Sequence, residues 1–249
     1  MPIIPGFYNT VPIMLSWPVV TKNIRGQFVI MSSFIMIKLL IFDLDGTLAD
    51  TGQDITDALN YALEPYRVKN YSVEETKMMV GSGISALLAS LLPSEKNSPA
   101  AKKDVKERFL DFYSKHLLDN TVAYPHVNDT LEKLNGYTKA VLSNKRTGYS
   151  KDILQQLGIA GYFDIIWGSD SVREKKPSPV PILDLLSKLQ IPKENTAMIG
   201  DSNFDVEAGR AAGVKVIGVT YGFRPRKYLE GSDVILDSFD ELLKVIPGM

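Results

Sequence analysis

Short apolar runs recur along most of the chain, and segments of helical periodicity separate them. The runs are rich in Ile, Val, Leu and Phe, which is typical of buried strands; they cover 37–42, 139–142, 163–168, 196–200, 214–219 and 233–235. Helical spacing of apolar residues occupies 127–134, 149–157, 179–189, 205–212 and 239–245. Strands that alternate with helices predict an α/β fold, with a parallel sheet covered by helices on both faces.

Residues 51–122 interrupt this alternation, because they contain helical patterns and no strand-like period. Asp54 stands near the start of the first pattern, where a carboxylate suits the helix dipole. Residues 72–75 have the order of a capping box. The tract 100–118 predicts a long amphipathic helix with Phe109 and Tyr113 on its apolar side. We expect an all-helical domain over 51–122, inserted into a core formed by 36–50 and 123–249.

The first 35 residues differ in composition from the rest. No acidic residue precedes Asp43, and four prolines (Pro2, Pro5, Pro12 and Pro18) disfavour helices. The apolar run 28–37 is interrupted by serines and is too short to span a bilayer. We expect residues 1–35 to be an extension outside the catalytic fold; a targeting or docking arm is the alternative.

Composition narrows the class of protein. The 249 residues are 45% apolar with a net charge of −1, which gives no reason to expect a nucleic-acid or membrane partner. No cysteine is present, so a disulfide framework and a thiol nucleophile are excluded. The two histidines, His116 and His126, are expected to be structural or solvated. A soluble cytoplasmic enzyme, monomer or homodimer, is the expectation.

Two carboxylates follow the first apolar run directly. Asp43 and Asp45 stand at the predicted carboxyl end of a strand, and Gly46 allows the chain to turn there. This edge is where open α/β sheets bind ligands. Carboxylates so close together repel, and a hard divalent cation such as Mg²⁺ would relieve the repulsion and bind phosphate. An acidic turn without function is the alternative.

Three later segments offer partners for a phosphate group. Ser143 and Asn144 follow one strand and carry hydrogen-bonding side chains. Lys176 precedes Pro177, which stiffens the backbone around a point charge. The segment 201–205 follows another strand and adds two acids as metal-ligand candidates. Each segment has an alternative interpretation: a loop for the first, a solvated turn for the second and a helix N-cap for the third. The joint occurrence of the three segments favours a phosphate site.

Together these motifs resemble the haloacid dehalogenase-like hydrolase superfamily, and within it the phosphoglycolate phosphatase-like branch with a helical cap. The residues that carry the resemblance are 42–51, 143–145, 176–177, 200–213 and 219–222. The resemblance implies a Rossmann-like core, a cap that closes over the site, and Mg²⁺-dependent hydrolysis of a small phosphorylated metabolite.

The resemblance also implies roles for individual residues. Asp43 would be the nucleophile that forms an aspartyl-phosphate, and Asp45 the acid and base. Mg²⁺ would be bound by Asp43, by Asp45 through its backbone carbonyl, by Asp201 and by Asp205, the last directly or through an intermediary. The groups expected to bind phosphate or substrate are Thr47, Ser143, Asn144, Lys176 and the cap turn Gly81, Ser82 and Gly83. That turn has a second interpretation, a simple connection between helices, and Lys175 is expected to be solvated.

Other functions on the same core stay open. A dehalogenase proper needs no acid at the second position, so Asp45 argues against it. A sugar-phosphate mutase of the β-phosphoglucomutase type, a nucleotidase or a pyrophosphatase, and a non-catalytic phosphate-binding module are the remaining alternatives. The chain departs from the family pattern at His126, where a glycine is common, and in the short loop 135–137. Both departures concern the geometry of the hinge to the cap.

Overall fold

The structure is a computed structural model that describes residues 19–22, 28–31 and 36–249. The chain divides into two units, Met1–Ile35 and Met36–Met249. Within the first unit, strands β1 (Val19–Lys22) and β2 (Phe28–Met31) pair antiparallel. The remainder of the extension predicted over residues 1–35 lies outside the described residues.

The second unit is built on a six-stranded parallel sheet. The strands of this second unit are β3 (Leu39–Phe42), β4 (Ala49–Asp50), β5 (Val122–Ala123), β6 (Thr138–Leu142), β7 (Ile165–Trp167), β8 (Thr196–Gly200), β9 (Lys215–Val219) and β10 (Val234–Leu236). All except β4 and β5 belong to the sheet, in the order β10-β9-β8-β3-β6-β7, with every neighbouring pair parallel. The predicted parallel sheet is confirmed.

Helices connect the strands. They are α1 (Gly52–Leu63), α2 (Val73–Met79), α3 (Ile84–Leu91), α4 (Pro99–Lys115), α5 (Val127–Lys133), α6 (Thr147–Gln156), α7 (Val180–Leu189), α8 (Asn203–Ala212) and α9 (Leu242–Val245). Short 3-10 segments lie at Glu64–Tyr66, Ser94–Lys96, Ala160–Tyr162, Lys193–Asn195, Arg226–Leu229, Phe239–Glu241 and Ile246–Gly248. Within the part of the chain that the structure describes, none of the helices has the length and apolarity needed to cross a membrane.

Alternate side chains of the central strand β3 enter different cores. Leu40 and Phe42 pack in the larger core, which includes residues of α5, α6 and α9. Leu39 and Ile41 pack in the second core, against residues of α7 and α8. Because successive strand residues point to opposite faces, both faces of β3 must be apolar, and the sequence shows an uninterrupted apolar run. Helices therefore cover both faces of the sheet, as predicted.

Helices α1 to α4 lie between two short strands, β4 and β5, that pair antiparallel with Ala49 opposite Ala123. The two chain segments that lead into and out of the helical insert therefore run side by side. Within the insert, α1 packs on α4, and the rings of Tyr61 and Phe112 stack with centroids 4.5 Å apart. The capping box predicted at 72–75 is confirmed, since Ser72 and Glu75 bond to each other's backbone amides.

Asp54 lies in the first turn of α1, as predicted, and has a second role that the pattern did not show. It is 1% exposed and accepts hydrogen bonds from the backbone amides of Asn120 and Thr121 at 2.9 Å, and from the Thr121 hydroxyl at 2.7 Å. The carboxylate therefore joins the start of α1 to the segment that leaves the insert. Periodicity could not predict this contact, because the partners are 66 and 67 residues away.

His126 occupies the left-handed region, with φ of 67°, immediately before α5. Glycine adopts this conformation without a steric penalty, which accounts for the expected glycine at this position. The exposed His126 and the partly buried His116, which contacts Asp119 at 2.8 Å and stacks on Phe112, are solvated or structural as expected.

Candidate active site

Three neighbouring strands bring the predicted polar residues together. Asp43 follows β3, Ser143 follows β6 and Asp201 follows β8, and β3 lies between β6 and β8 in the sheet. Their carboxyl ends form one wall of a cavity of about 400 Å³, whose other wall comes from the helical insert. Asp43, Asp45, Ser143, Lys176 and Asp201 all line it.

A buried lysine pairs with two of the acids. The Nζ of Lys176 lies 2.9 Å from Oδ1 of Asp43 and 2.6 Å from Oδ1 of Asp205. The same Oδ1 of Asp43 accepts the backbone amide of Leu44 at 2.7 Å. Within residues 36–249, no hydrogen bond or ion pair involves Oδ2 of Asp43. One oxygen of this carboxylate is therefore held in place, and the other is free to react or to bind a cation.

Three buried carboxylates form a compact cluster. Asp43, Asp201 and Asp205 each offer an oxygen within 4.8 Å of the others. Burial raises the pKa of Asp43 to about 7; Lys176 opposes this shift, and Asp205 and Asp45 add to it. Burial also raises the pKa of Asp201 well above its usual value, with further contributions from Asp205 and Asp43. Three carboxylates thus share one lysine, and burial disfavours the charged forms of Asp43 and Asp201.

Asp205 is also part of a helix cap. Its Oδ2 accepts the hydroxyl of Ser202 at 2.6 Å and the Ser202 backbone amide at 3.2 Å, while Oδ1 receives Lys176. The helix cap expected as the alternative for this segment is therefore present beside the charge pair with Lys176. Asp205 therefore positions Lys176 while it also belongs to the cluster of three carboxylates that could hold a cation.

The turn after β3 fits closely around Asp201. Gly46 has a φ of 84°, and a Cβ at this position would collide with the Asp201 carboxylate. The fully buried Thr47 directs its hydroxyl to Oδ1 of Asp201 at 3.5 Å and does not line the cavity. The Thr47 side chain therefore supports Asp201, and its predicted contact with phosphate stays a prediction.

Asp45 is held by two residues. Its Oδ1 accepts the Thr51 hydroxyl at 2.6 Å and pairs with Nζ of Lys145 at 2.8 Å. Lys145 also donates to the hydroxyl of Tyr113 on α4, at 2.6 Å. Lys145 therefore links a core carboxylate to the helical insert. The sequence shows Lys145 beside Asn144, but its position alone gave no reason to assign it a role at Asp45.

Asn144 lines the cavity and also bonds to protein groups. Its Nδ2 donates to the carbonyls of Gly81 at 2.6 Å and Lys176 at 2.8 Å, and its Oδ1 accepts the Lys176 amide at 3.1 Å. The Asn144 side chain thus joins the insert to the lysine segment at the wall of the cavity. The predicted contact of Asn144 with phosphate stays a prediction.

The turn between α2 and α3 lies against the core. Gly81 has a φ of 133°, and a Cβ there would lie 2.6 Å from the ring of Phe204. Gly83 has a φ of 92° and a Cβ there would lie 2.9 Å from Nζ of Lys175. Gly81 and Gly83 line the cavity, whereas Ser82 is exposed and does not; a Ser82 contact with substrate stays a prediction. Lys175 is exposed as expected, although it lines the rim.

Comparison with known proteins places this geometry in a family. A family model described as haloacid dehalogenase-like hydrolase matches residues 40–219, which include the strands β3, β6 and β8 and the residues that follow them. The chain belongs to the haloacid dehalogenase-like hydrolase family. The resemblance inferred from the motifs is therefore confirmed.

Curated relatives of this hydrolase are named phosphoglycolate phosphatase. The relative from Aquifex aeolicus is 37% identical over 193 residues, which cover 75% of this chain and 86% of the relative. The relative from Vibrio parahaemolyticus is 36% identical over 219 residues, which cover 84% of this chain and 96% of the relative. The predicted enzyme class, a phosphoric monoester hydrolase, is confirmed.

Solved structures of similar proteins share the fold of this hydrolase. A predicted phosphoglycolate phosphatase from Haemophilus somnus superposes with a TM-score of 0.78 at 31% identity, over 84% of this chain and 97% of that one. CbbY from Rhodobacter sphaeroides, in complex with xylulose-(1,5)bisphosphate, has a TM-score of 0.72 at 26% identity, over 83% of this chain and 96% of that one.

Proposed function

We propose that this hydrolase is a Mg²⁺-dependent phosphatase that hydrolyses a small phosphomonoester, with phosphoglycolate as the leading candidate, through an aspartyl-phosphate on Asp43. The observation that carries the proposal is the Asp43 carboxylate, which lies at the end of β3 beside Lys176 and faces a cavity of about 400 Å³. A nucleophile, the Lys176 ammonium and space for a small ester thus occur together at the sheet edge where α/β enzymes bind ligands.

The residues present fit a divalent cation. Asp43 and Asp201 are buried and close together, and burial disfavours their charged forms, which is the environment that favours a hard cation with oxygen ligands. Asp43, Asp201 and the backbone carbonyl of Asp45 would hold Mg²⁺, and Asp205 would support Lys176. When bound, the ion reduces repulsion between Asp43 and the phosphate and stabilises charge on the transferring oxygens.

The reaction would proceed in two displacements. The free Oδ2 of Asp43 attacks phosphorus, a phosphorus–oxygen bond to the alcohol breaks, and Asp45 gives its proton to the departing alkoxide. A water molecule then attacks the phosphoryl group, Asp45 takes its proton, and Asp43 is released with inorganic phosphate. Lys176 and the hydroxyl of Ser143 would stabilise the phosphoryl oxygens during both steps.

The contacts of Asp45 are compatible with this exchange of protons. Thr51 and Lys145 hold only its Oδ1, and within residues 36–249 no hydrogen bond or ion pair involves Oδ2. The side chain is 12% exposed and lines the cavity. Oδ2 can therefore donate to a leaving group and later accept from water while Oδ1 keeps the carboxylate in position.

The substrate class follows from the size of the cavity and from the relatives. A cavity of this volume accommodates a small metabolite, and curated relatives are named for phosphoglycolate. The fold neighbour CbbY binds a sugar bisphosphate, which supports the same broad class. We further propose that residues 51–122 are the cap that closes over the ester, and that 1–35 lie outside the catalytic fold; a chain beginning at Met36 should then retain activity.

The test is phosphate release from phosphoglycolate, hexose phosphates, nucleotides and pyrophosphate, with Mg²⁺ and with EDTA. We expect release that requires Mg²⁺, is fastest for one small monoester, and is abolished in Asp43→Asn while the variant stays folded. Appreciable turnover by Asp43→Asn, or equal rates in EDTA, would contradict the mechanism. Absence of release together with isomerisation of β-glucose 1-phosphate would identify a mutase instead.

A further inference from the structure

Arg224 is a buried cation at the cavity wall that lies near Asp201 but has no acidic partner in direct contact among residues 36–249. The residue is 8% exposed, and no ion pair involves it within residues 36–249. Its Nη2 donates to the carbonyl of Val80 at 2.8 Å, while Nε is buried without a hydrogen-bond partner. A charged group removed from water without an opposite charge is unfavourable for folding, so its presence requires another reason.

The other buried or partly buried cations of the cavity have acidic partners. Lys176 pairs with Asp43, and Lys145 pairs with Asp45. Arg224 differs, because its direct contacts are a backbone carbonyl and the ring of Tyr228, whose centroid lies 5.5 Å from Cζ. A neutral donor could satisfy Val80 equally well, so that hydrogen bond does not explain a guanidinium at this position.

Arg224 lies beside the proposed reaction centre. The backbone amide of the preceding residue, Phe223, donates to Oδ2 of Asp201 at 2.6 Å. Arg224 lines the same cavity as Asp43, and its contact with Val80 places it under the turn of the helical insert. Within residues 36–249, no hydrogen bond involves Nη1, which leaves a donor available to a ligand in this space.

We propose that Arg224 binds a second anionic group of the substrate, a carboxylate or a second phosphate, so that the enzyme selects phosphomonoesters that carry a further negative charge. This inference rests on the proposed phosphatase function and names the substrate class for the same site. A guanidinium suits the task because its planar donors match the oxygens of carboxylates and phosphates. The bound anion would supply the directly contacting charge partner that Arg224 lacks among residues 36–249.

The test compares three esters of similar size. Phosphoglycolate carries a carboxylate, ethane-1,2-diol bisphosphate carries a second phosphate, and ethyl phosphate carries no second charge. Arg224→Gln and Arg224→Lys are compared with Arg226→Gln, a matched control on the same segment whose side chain is exposed and pairs with Asp237. Values of kcat/KM and the melting temperature are measured for each.

We expect Arg224→Gln to lower kcat/KM for the preferred doubly charged ester roughly 10- to 100-fold more than for ethyl phosphate. The loss for Arg224→Lys should lie between that of wild type (none) and that of Arg224→Gln, because lysine keeps the charge and loses the planar donors. One of the two doubly charged esters should be preferred by wild type and should lose most kcat/KM in Arg224→Gln. That ester identifies the second anionic group as a carboxylate or a phosphate. Arg226→Gln should leave unchanged the ratio of kcat/KM for the doubly charged ester to kcat/KM for ethyl phosphate.

Equal losses on all three esters would overturn the inference, since they would mean that Arg224 acts only by holding the turn at Val80. A wild-type enzyme without preference for a second charge would overturn it as well. Either result, with ethyl phosphate still hydrolysed, leaves the proposed phosphatase intact. Failure of wild type to hydrolyse any of the esters would instead overturn the proposed function and this inference with it. If Arg224→Gln does not fold, the ratio for Arg224→Lys decides.

Discussion

The ammonium of Lys176 lies 2.9 Å from the carboxylate of Asp43, and both residues are buried at the floor of the cavity. The same ammonium lies 2.6 Å from Asp205, so one cation serves two acids. The Coulomb attraction of both carboxylates outweighs the effect of burial and raises the pKa of Lys176, which therefore keeps its charge. Because of this position, Lys176 should affect both the stability of the fold and the chemistry at Asp43.

Lys176→Met should impair both stability and catalysis. The substitution removes the Lys176 ammonium and leaves the carboxylates of Asp43 and Asp205 buried without their charge partner. Breaking a buried ion pair costs about 3–5 kcal/mol. We expect a loss of that size in the free energy of unfolding, measured by urea denaturation in EDTA, and a fall in kcat of about 100-fold or more. Lys175→Met, an exposed neighbour, is the stability control; an equally small loss in both variants would contradict the assignment.

Asp201→Asn should separate cation binding from folding. The variant removes one of three mutually repelling buried carboxylates and retains an oxygen for the Phe223 amide. In EDTA we expect it to be at least as stable as wild type. Mg²⁺ at a hundred times its Kd should stabilise wild type by about 2.7 kcal/mol, and this gain should be lost in Asp201→Asn but kept in the exposed control Asp57→Asn. A gain that survives in Asp201→Asn would place the ion elsewhere.

Asp45→Asn should have an effect that depends on the leaving group. An alkoxide needs a proton to depart, whereas p-nitrophenolate departs without one, so the loss should be greater for alkyl phosphates. Single-turnover rates of aspartyl-phosphate formation with ethyl and p-nitrophenyl phosphate measure the difference. Identical losses for the two esters would argue against Asp45 as the acid.

Asp54→Ala should destabilise the protein although Asp54 lies at the start of a helix. The change leaves the amides of Asn120 and Thr121 and the Thr121 hydroxyl without their acceptor. We expect a loss of about 3 kcal/mol in the free energy of unfolding. Asp57→Ala, on the exposed face of the same helix, should cost far less, and similar losses for the two would refute the structural role.

Gly81→Ala should disturb the turn that covers the cavity. Its φ of 133° is unfavourable for other residues, and the added Cβ would meet the ring of Phe204. We expect a fall in kcat/KM of roughly 10-fold or more, because the turn must move and substrate positioning suffers. Gly136→Ala, where an added Cβ meets nothing within 4 Å, is the control. Unchanged kcat/KM in Gly81→Ala would show that the turn does not position the ester.

Much of the fold could be predicted because its determinants are local. Apolar runs marked the strands of the sheet, and the residues directly after β3, β6 and β8 marked the edge at which the site forms. The capping box of Ser72 is likewise encoded within four residues. Helix α8, by contrast, begins at Asn203, two residues before its predicted start, because Ser202 and Asp205 cap it.

The contacts between distant segments could not be predicted in the same way. Strands β4 and β5 contain two residues each and have no distinct pattern, so their pairing is visible only once the insert has folded. Thr47 and Asn144 carry groups that suit phosphate, and packing also joins them to Asp201 and to the Gly81 carbonyl, which the sequence did not indicate. Which polar side chain faces the cavity depends on neighbours that a linear pattern does not specify.

The sequence by itself therefore determined the α/β class, the strand ends, the acids Asp43, Asp45 and Asp201, and the lysine before Pro177, because strand periodicity and motif spacing are local properties of the chain. The tertiary structure alone decided that Lys145 links Asp45 to Tyr113, and that Arg224 reaches Val80 across 144 residues. Those contacts form when the helical insert packs over the sheet edge, so burial and charge at the site are set by residues that are remote in sequence.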